Sequence, residues 1–224
     1  MSGRLSYRFS FLIPSVPFMA RSKSSRRWLD RHVNDPYVKR SQVDGYRSRA
    51  AYKLLEIQEK DRVLSPGMRV VDLGAAPGSW SQIAVQLVGA KGRVIALDIL
   101  PMDPLAGVEI LEGDFRDDAV LSELRVALGQ DPLDLVLSDM APNITGTSIV
   151  DQSRSMYLLE LALELAREQL KPGGAMVVKA FQGTGFDAYL RDLRGSFRQV
   201  ASRKPKSSRA QSRELYLVAK GFNR

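Results

Sequence analysis

The sequence predicts an α/β protein, an open and mostly parallel sheet with helices on both faces, on three observations. Apolar strand-like runs alternate with segments of helical period from residue 69 to residue 197. One apolar run, Met68–Leu73, passes through a glycine-bearing turn, Asp72-Leu-Gly-Ala-Ala-Pro-Gly-Ser-Trp80, into the apolar-periodic segment Trp80–Val88. The last two strand-like runs are separated only by the basic stretch Arg203–Arg213, too short for a helical crossover, so they should pair antiparallel.

The elements follow in chain order. Arg4 and Arg8 precede the apolar stretch Phe9–Ala20, which faintly resembles a secretory leader. Pro14 and Pro17 interrupt it and a basic, cysteine-free body follows, so export is not expected. Residues 1–20 read as a disordered extension or as a start placed too early, with Met19 as the initiator. Residues 22–45 are polar with little periodicity, and Trp28, Leu29 and Val33 suggest one short amphipathic helix. Ser48 or a near neighbour should cap a helix through about Lys60, because Ala51, Leu54, Leu55 and Gln58 recur at helical spacing. Ser65-Pro66-Gly67 is a turn.

Strands are then expected at Arg69–Leu73, Arg93–Leu97, Glu109–Leu111, Leu133–Ser138 and Ala175–Ala180, and helices at Ser79–Val88, Asp117–Leu128, Ser153–Leu170 and Phe186–Leu193. Lys171-Pro-Gly-Gly174 should stop the longest helix and open the fifth strand. Phe197–Ser202 and Glu214–Ala219 complete the sheet as a hairpin with a long basic tip, an antiparallel edge on a parallel sheet. No internal repeat and no second domain is evident.

Composition narrows the chemistry. The 224 residues include no cysteine and one histidine, His32, which argues against disulfides, zinc held by cysteine, a histidine metal site and a Ser-His-Asp triad. No metal is expected. The net charge is +8, and it is unevenly placed. Residues 21–49 carry nine Lys/Arg against three acids, and residues 198–213 carry six and no acid, so these two stretches hold 15 of the 33 basic side chains. Neither has an apolar helical face opposite the charge, which favours nucleic acid over a membrane surface as the polyanionic partner. No apolar run is long enough to span a bilayer as a helix.

The glycine turn has the spacing Gly-x-x-x-Gly, with Asp72 two residues before Gly74. It is not the Gly-x-Gly-x-x-Gly of a dinucleotide site. An acid inside the loop repels phosphate and suits a cationic or hydroxyl-rich ligand such as S-adenosylmethionine, with its ammonium, sulfonium and ribose diol. Ligands of open α/β sheets sit beyond the carboxyl ends of the strands. The residues there are Asp72, Asp98, Asp114, Asp139 and Lys179. Asp98 is placed for both ribose hydroxyls, or for a turn. Asp114 is placed for an adenine amine, or to cap the helix near Asp117. Lys179 follows an apolar strand, and a buried lysine without a role is rare.

Taken together, these blocks resemble the FtsJ/RrmJ family of S-adenosylmethionine-dependent ribose 2′-O-methyltransferases that act on large-subunit ribosomal RNA. The matching blocks are Arg47–Leu54, Val71–Gly78, Leu100–Pro104, Gly113–Asp117, Ser138–Asn143, Val178–Gly183 and Lys204–Glu214, within a likeness that runs from about Ser24 to Ala219. The resemblance implies a single Rossmann-like class I S-adenosylmethionine-dependent methyltransferase domain, residues 21–224, with a mostly parallel seven-stranded sheet and an antiparallel C-terminal edge strand. It implies a Lys-Asp-Lys-Glu catalytic set at Lys53, Asp139, Lys179 and Glu214. It implies cofactor contacts at Gly78, Trp80, Asp98, Asp114 and Asp139, with Asp72 and Gly74 completing the loop. It also implies the substrate, a uridine in the A-loop of 23S rRNA presented in the assembled 50S subunit, and with it a cytoplasmic location; a monomer is expected. One departure stands out. The family's loop usually reads Pro-Gly-Gly-Trp, and here Ser79 takes the second glycine's place. Ser is well suited to a helix N-terminus, so cofactor binding should survive.

On this reading Lys179 either removes the ribose proton as a neutral amine or orients the hydroxyl as a charged donor. Asp139 and Glu214 hold the lysines. Tyr46, Tyr52 and Phe181 are candidates to stack on a base, or are core. Other readings remain: a methyltransferase of another RNA such as tRNA, a nicotinamide dehydrogenase, or an rRNA-binding assembly factor whose catalysis is secondary.

Overall fold

β1 (Arg69–Leu73) is apolar almost throughout and buried from Val70 to Leu73, so it takes a central place in the sheet. The computed structural model describes residues 34–142, 145–209 and 212–223. The chain divides after Asp35, and the unit Pro36–Arg224 carries every helix and strand assigned among the described residues. The leader 1–20 and the segment at Trp28–Val33, where a short helix is expected from the sequence, lie outside the described residues.

The unit begins with α1 (Pro36–Val43) and α2 (Ala51–Asp61) and continues with β1, α3 (Ser79–Val88), β2 (Arg93–Asp98) and β3 (Val108–Glu112). Then come α4 (Asp118–Leu128), β4 (Leu133–Ser138), α5 (Ser148–Gln169), β5 (Leu170–Phe181), α6 (Phe186–Ser196), β6 (Phe197–Arg203) and β7 (Glu214–Phe222). The seven strands form one sheet in the order β3-β2-β1-β4-β5-β7-β6. Neighbours from β3 to β5 are parallel, and β7 pairs antiparallel with both β5 and β6. The expected hairpin forms, with β7 on its inner side and β6 outermost. The physical reason is burial: Leu215 to Ala219 of β7 are covered on both faces, while β6 exposes Arg198, Gln199 and Ser202.

Strand alternation sorts the side chains into two cores. Val70, Val94, Leu135, Leu137, Val177, Tyr216 and Val218 pack with α2 and α3 on one face. Val71, Leu73, Val136, Val178, Ala180, Leu215 and Leu217 pack with α4, α5 and α6 on the other. By the same period of two, Asp72 and Lys179 belong to the α2/α3 face. No helix among the described residues is long and apolar enough to cross a membrane.

The structure departs from the sequence expectation at four places. α1 lies in the stretch read as lacking periodicity; it is a mostly polar helix that buries Ser41 and carries an Arg40–Asp44 pair at 3.1 Å one turn apart. α5 starts at Ser148 rather than Ser153, because Asp151 in its first turn accepts from the Thr145 and Gly146 N–H groups and draws the preceding loop into the helix. β5 begins at Leu170, so Lys171-Pro-Gly-Gly174 lies within the strand, where the register with β4 shifts. The α2 N-cap is Ala50; Ser48 instead accepts from the Ala50 N–H at 3.2 Å.

Candidate active site

Lys53, Asp139, Lys179 and Glu214 come from α2, the end of β4, β5 and the start of β7, and the fold brings all four together. Lys179 Nζ lies 3.1 Å from Asp139 Oδ1 and also donates to the Asp139 carbonyl oxygen. Lys53 Nζ lies 2.9 Å from Glu214 Oε1, both side chains being about seven-eighths buried. Tyr216, which the sequence reading missed, joins the two pairs. Its hydroxyl donates to Asp139 Oδ1 at 2.7 Å, and Lys53 Nζ sits 5.5 Å from its ring centroid. The register explains this: Lys179 is paired with Tyr216 and Phe181 with Glu214, so Lys179, Tyr216 and Glu214 project from one face. The signal was available, since Tyr216 follows Glu214 at strand period.

The electrostatics follow from this packing. Burial opposes ionisation of Asp139, but the cations of Lys179 and Lys53 and the Tyr216 hydroxyl outweigh it and hold its carboxyl below the usual range. Glu214 behaves alike, with burial outweighed chiefly by Lys53. Burial and the neighbouring Asp139 push the Tyr216 phenol well above its ordinary value, so it remains a donor.

The glycine turn lies beside this cluster. Asp139 donates its N–H to the Leu73 carbonyl at 3.1 Å. Gly74 has φ +72°, and a Cβ there would lie 2.7–2.8 Å from Met140, the residue after Asp139. Gly78 has φ +105°, and its missing Cβ makes room for Arg47 and Met102. Asp98 is half-buried at the end of β2, accepting from Ala76 N–H and Leu100 N–H, each at 2.8 Å. A carboxylate has about four lone-pair sites, so capacity remains for a ribose diol. Asp114 is more fully engaged: Arg116 donates to both of its oxygens through Nε and Nη2, and its backbone N–H adds a fourth contact. Asp117, not Asp114, caps α4 by accepting from Ala119 N–H.

Two of the expected cofactor residues lie beneath the loop rather than at its surface. Asp72 is fully buried, with Oδ2 accepting from Ser81 Oγ at 2.6 Å and Oδ1 without a partner among the described residues. Burial, despite the Ser81 hydrogen bond and with help from the negative Asp139 and Asp98, raises its carboxyl to about 7. The Trp80 indole is core: it donates to the Ala50 carbonyl at 2.9 Å and packs on Tyr216 at 5.5 Å. Only the backbone of Trp80, in the first turn of α3, is placed for a ligand. Ser79 keeps its hydroxyl 2.7 Å from that of Ser48. An orphaned acceptor below the turn, two glycines without room for a side chain, and Asp98 with spare capacity fit a cation-bearing nucleoside better than a polyphosphate.

Arg49 of the first basic segment and Lys206–Ser207 of the second meet beside α2. Glu56 accepts from the Lys206 and Ser207 N–H groups, and Arg49 donates to the Ser207 carbonyl oxygen. A cavity of about 270 Å³ lies there, lined by Ser48, Arg49, Ala50, Lys53, Arg209, Ser212 and Glu214. Burial and the nearby Arg209 cation lower the Arg49 value. Not all the basic residues are available to a partner. Arg203 is bidentate on Asp61, and Lys204 donates to the Ser212 and Glu214 carbonyls. Of the aromatic candidates, Tyr52 is buried, donates to Asp44 at 2.7 Å and packs on Tyr37 and Tyr46, so it cannot stack on a base. Tyr46 and Phe181 are partly exposed. No cluster of His, Cys, Asp and Glu able to hold a metal occurs among the described residues.

The chain is similar to known proteins over most of its length. The model of the FtsJ-like methyltransferase family matches residues 46–222. The chain is 60% identical over 204 residues to the ribosomal RNA large subunit methyltransferase E of Cellvibrio japonicus, covering 91% of this chain and 97% of that one. It is 61% identical over 204 residues to the protein of the same name from Marinobacter nauticus, covering 91% and 99%. Among solved structures, a candidate ribosomal RNA methyltransferase of Plasmodium falciparum matches with a TM-score of 0.70 at 34% identity, over 79% of this chain and 98% of that one.

Proposed function

The chain belongs to the FtsJ-like methyltransferase family, and from that membership we propose that it methylates a ribose 2′-hydroxyl of large-subunit ribosomal RNA, with S-adenosylmethionine as methyl donor. The finer target is a uridine of the 23S rRNA A-loop in the assembled 50S subunit, met by a cytoplasmic monomer. One observation carries the reading: four chemistry-bearing side chains, from segments as far apart as Lys53 and Glu214, form two linked ion pairs beside the glycine turn. A protein that only bound RNA would have no use for so costly a buried arrangement.

The donor supplies an already activated sulfonium methyl. The chain's work is to align the ribose oxygen and to manage its proton. Two bonding directions of Lys179 Nζ are taken by Asp139, through its carboxylate and its carbonyl. A third is left for the ribose 2′-oxygen. Methyl transfer would form the O2′–methyl bond as the sulfur–methyl bond breaks, with the hydroxyl proton taken by Lys179 as a neutral amine, or released to solvent while a charged Lys179 orients the oxygen. Asp139 and Tyr216 fix Lys179, and Glu214 fixes Lys53. Asp98 would take the ribose hydroxyls of the donor beside a turn whose Gly74 packs against Met140 and whose Gly78 packs against Arg47 and Met102. The cavity edged by Arg49, Arg209 and Lys53 takes a phosphate of the RNA.

Labelling with tritiated S-adenosylmethionine on 50S subunits, naked 23S rRNA and tRNA, followed by mapping of the modified nucleotide, tests this. Label on a 23S ribose, strongest with 50S, is expected. Label confined to tRNA would move the substrate. No transfer to any RNA, together with rescue of particle maturation by Lys179→Ala as good as by wild type, would favour the assembly-factor reading.

A further inference from the structure

Residues 44–50 join α1 to α2 by crossing the glycine turn. Gln82 of α3 donates to the Gly45 carbonyl at 2.8 Å and accepts from the Arg47 N–H at 3.2 Å, which sets the path of the crossing. The Arg47 guanidinium then makes three contacts, all to backbone carbonyls. Nη1 donates to Pro77 at 3.0 Å and to Asp103 at 2.8 Å, and Nη2 donates to Pro104 at 2.7 Å. Pro77 belongs to the turn after β1, and Asp103 and Pro104 to the loop after β2. Asp98 stitches the same two loops from the strand side, through Ala76 N–H and Leu100 N–H. The guanidinium crosses Gly78 so closely that a Cβ there would lie 2.8 Å from Nη1 and 2.9 Å from Met102 Cε.

We infer that Arg47 is a positioning residue for the methyl donor, holding the loop after β2 against the glycine turn at the spacing the nucleoside needs. The inference rests on the proposal that S-adenosylmethionine binds at that turn. Arg47 lies in a basic segment, and its charge alone would assign it to an RNA phosphate. Its donors instead go to carbonyls of the two loops that present Asp98 and Gly78. An arginine suits this task because its planar fork offers five donors in fixed directions, whereas a lysine ammonium is a single point and cannot span carbonyls of two loops. Without the strap, both loops would have to be ordered by the ligand itself, at the ligand's expense in affinity.

The test measures S-adenosylmethionine binding by calorimetry without RNA, beside steady-state kinetics on 50S subunits. Loss of charge-assisted contacts should raise the Kd and the KM for S-adenosylmethionine about tenfold in Arg47→Ala. The kcat at saturating donor and the salt dependence of 50S binding should stay near wild type. Arg47→Lys should not restore affinity. Arg47→Met keeps the apolar stem over Gly78 and should match Arg47→Ala; it replaces that variant if the alanine protein melts early. A Kd within about twofold of wild type in the folded variants, full rescue by lysine, or a defect confined to 50S binding with a shallower salt slope would each overturn the inference. Failure of the wild-type protein to bind S-adenosylmethionine would instead refute the underlying cofactor proposal.

Discussion

The Tyr216 hydroxyl donates to Asp139 Oδ1 at 2.7 Å, on the oxygen that Lys179 approaches at 3.1 Å. Asp139 follows β4 directly, Lys179 lies in β5 and Tyr216 in β7, and these are three adjacent strands of the sheet. Tyr216→Phe removes this donor and leaves the ring beneath Lys53. The Asp139–Lys179 geometry then loosens, and kcat should fall by about tenfold or less, with S-adenosylmethionine affinity unchanged. A quench-flow single-turnover rate equal to wild type would show that the tyrosine only packs.

Lys179→Ala should lower the single-turnover rate by about 10²-fold or more, with donor and 50S binding near wild type. It also leaves Asp139 without its nearest cation in a largely buried place, so some stability is lost. Lys179→Arg separates the two roles of the side chain. Arginine donates but hardly deprotonates, so recovery of activity would assign orientation, and persistent loss would assign proton removal. Near wild-type turnover by the alanine variant would remove Lys179 from the mechanism.

Stability should respond to pH through Asp72. Its folded value is raised, by burial first, to about 7. The folded protein therefore keeps a proton that the unfolded chain has already released above about pH 4. This contribution is complete below the unfolded value, declines as pH rises toward about 7, and is flat beyond it. Asp72→Asn should raise the urea midpoint more at pH 8 than at pH 5, and parallel pH profiles for the two proteins would contradict this. Asp139 and Glu214 act in the opposite sense. Their values are depressed, so their stabilisation is present above the ordinary carboxylate range and is lost as pH falls through the folded values.

The basic residues should divide by what they already touch. Arg203 is bidentate on Asp61, whose side chain is 9% exposed. Arg203→Ala should cost about 2–3 kcal/mol in denaturant melts, with little change in the salt slope of RNA binding. Lys39→Ala or Lys206→Ala should leave stability alone and reduce that slope by about one. Equal slopes in all three variants would detach the basic segments from RNA.

Much of the scaffold was legible because it rests on short-range rules. β1 and β4 follow their apolar runs to the residue, and α3 follows its helical period between the turn and Gly89. Helix α1 was not legible: its face is polar, and what marks it is an Arg40–Asp44 pair rather than an apolar stripe. The direction in which the Asp72 and Trp80 side chains point was not legible for a related reason. Position in the loop motif says that a residue is near the ligand, but the side of the loop on which its side chain falls depends on α2 and α3 packing beneath it.

The family resemblance named Lys53, Asp139, Lys179 and Glu214 as a set; by itself the sequence determined the strand-turn-helix at Asp72–Trp80, the alternating α/β order and the antiparallel hairpin that closes the sheet. These depend on spacing, on period and on residue chemistry, all of which are local. Only the tertiary structure decided which carboxylate each lysine meets, that Tyr216 joins the two pairs, that Asp72 is sealed beneath the turn, and that Arg47 straps two loops instead of reaching outward. Those contacts join segments from 30 to 161 residues apart, from Arg47 and Pro77 at one extreme to Lys53 and Glu214 at the other. Such pairings are set by strand order and register, which no local pattern encodes.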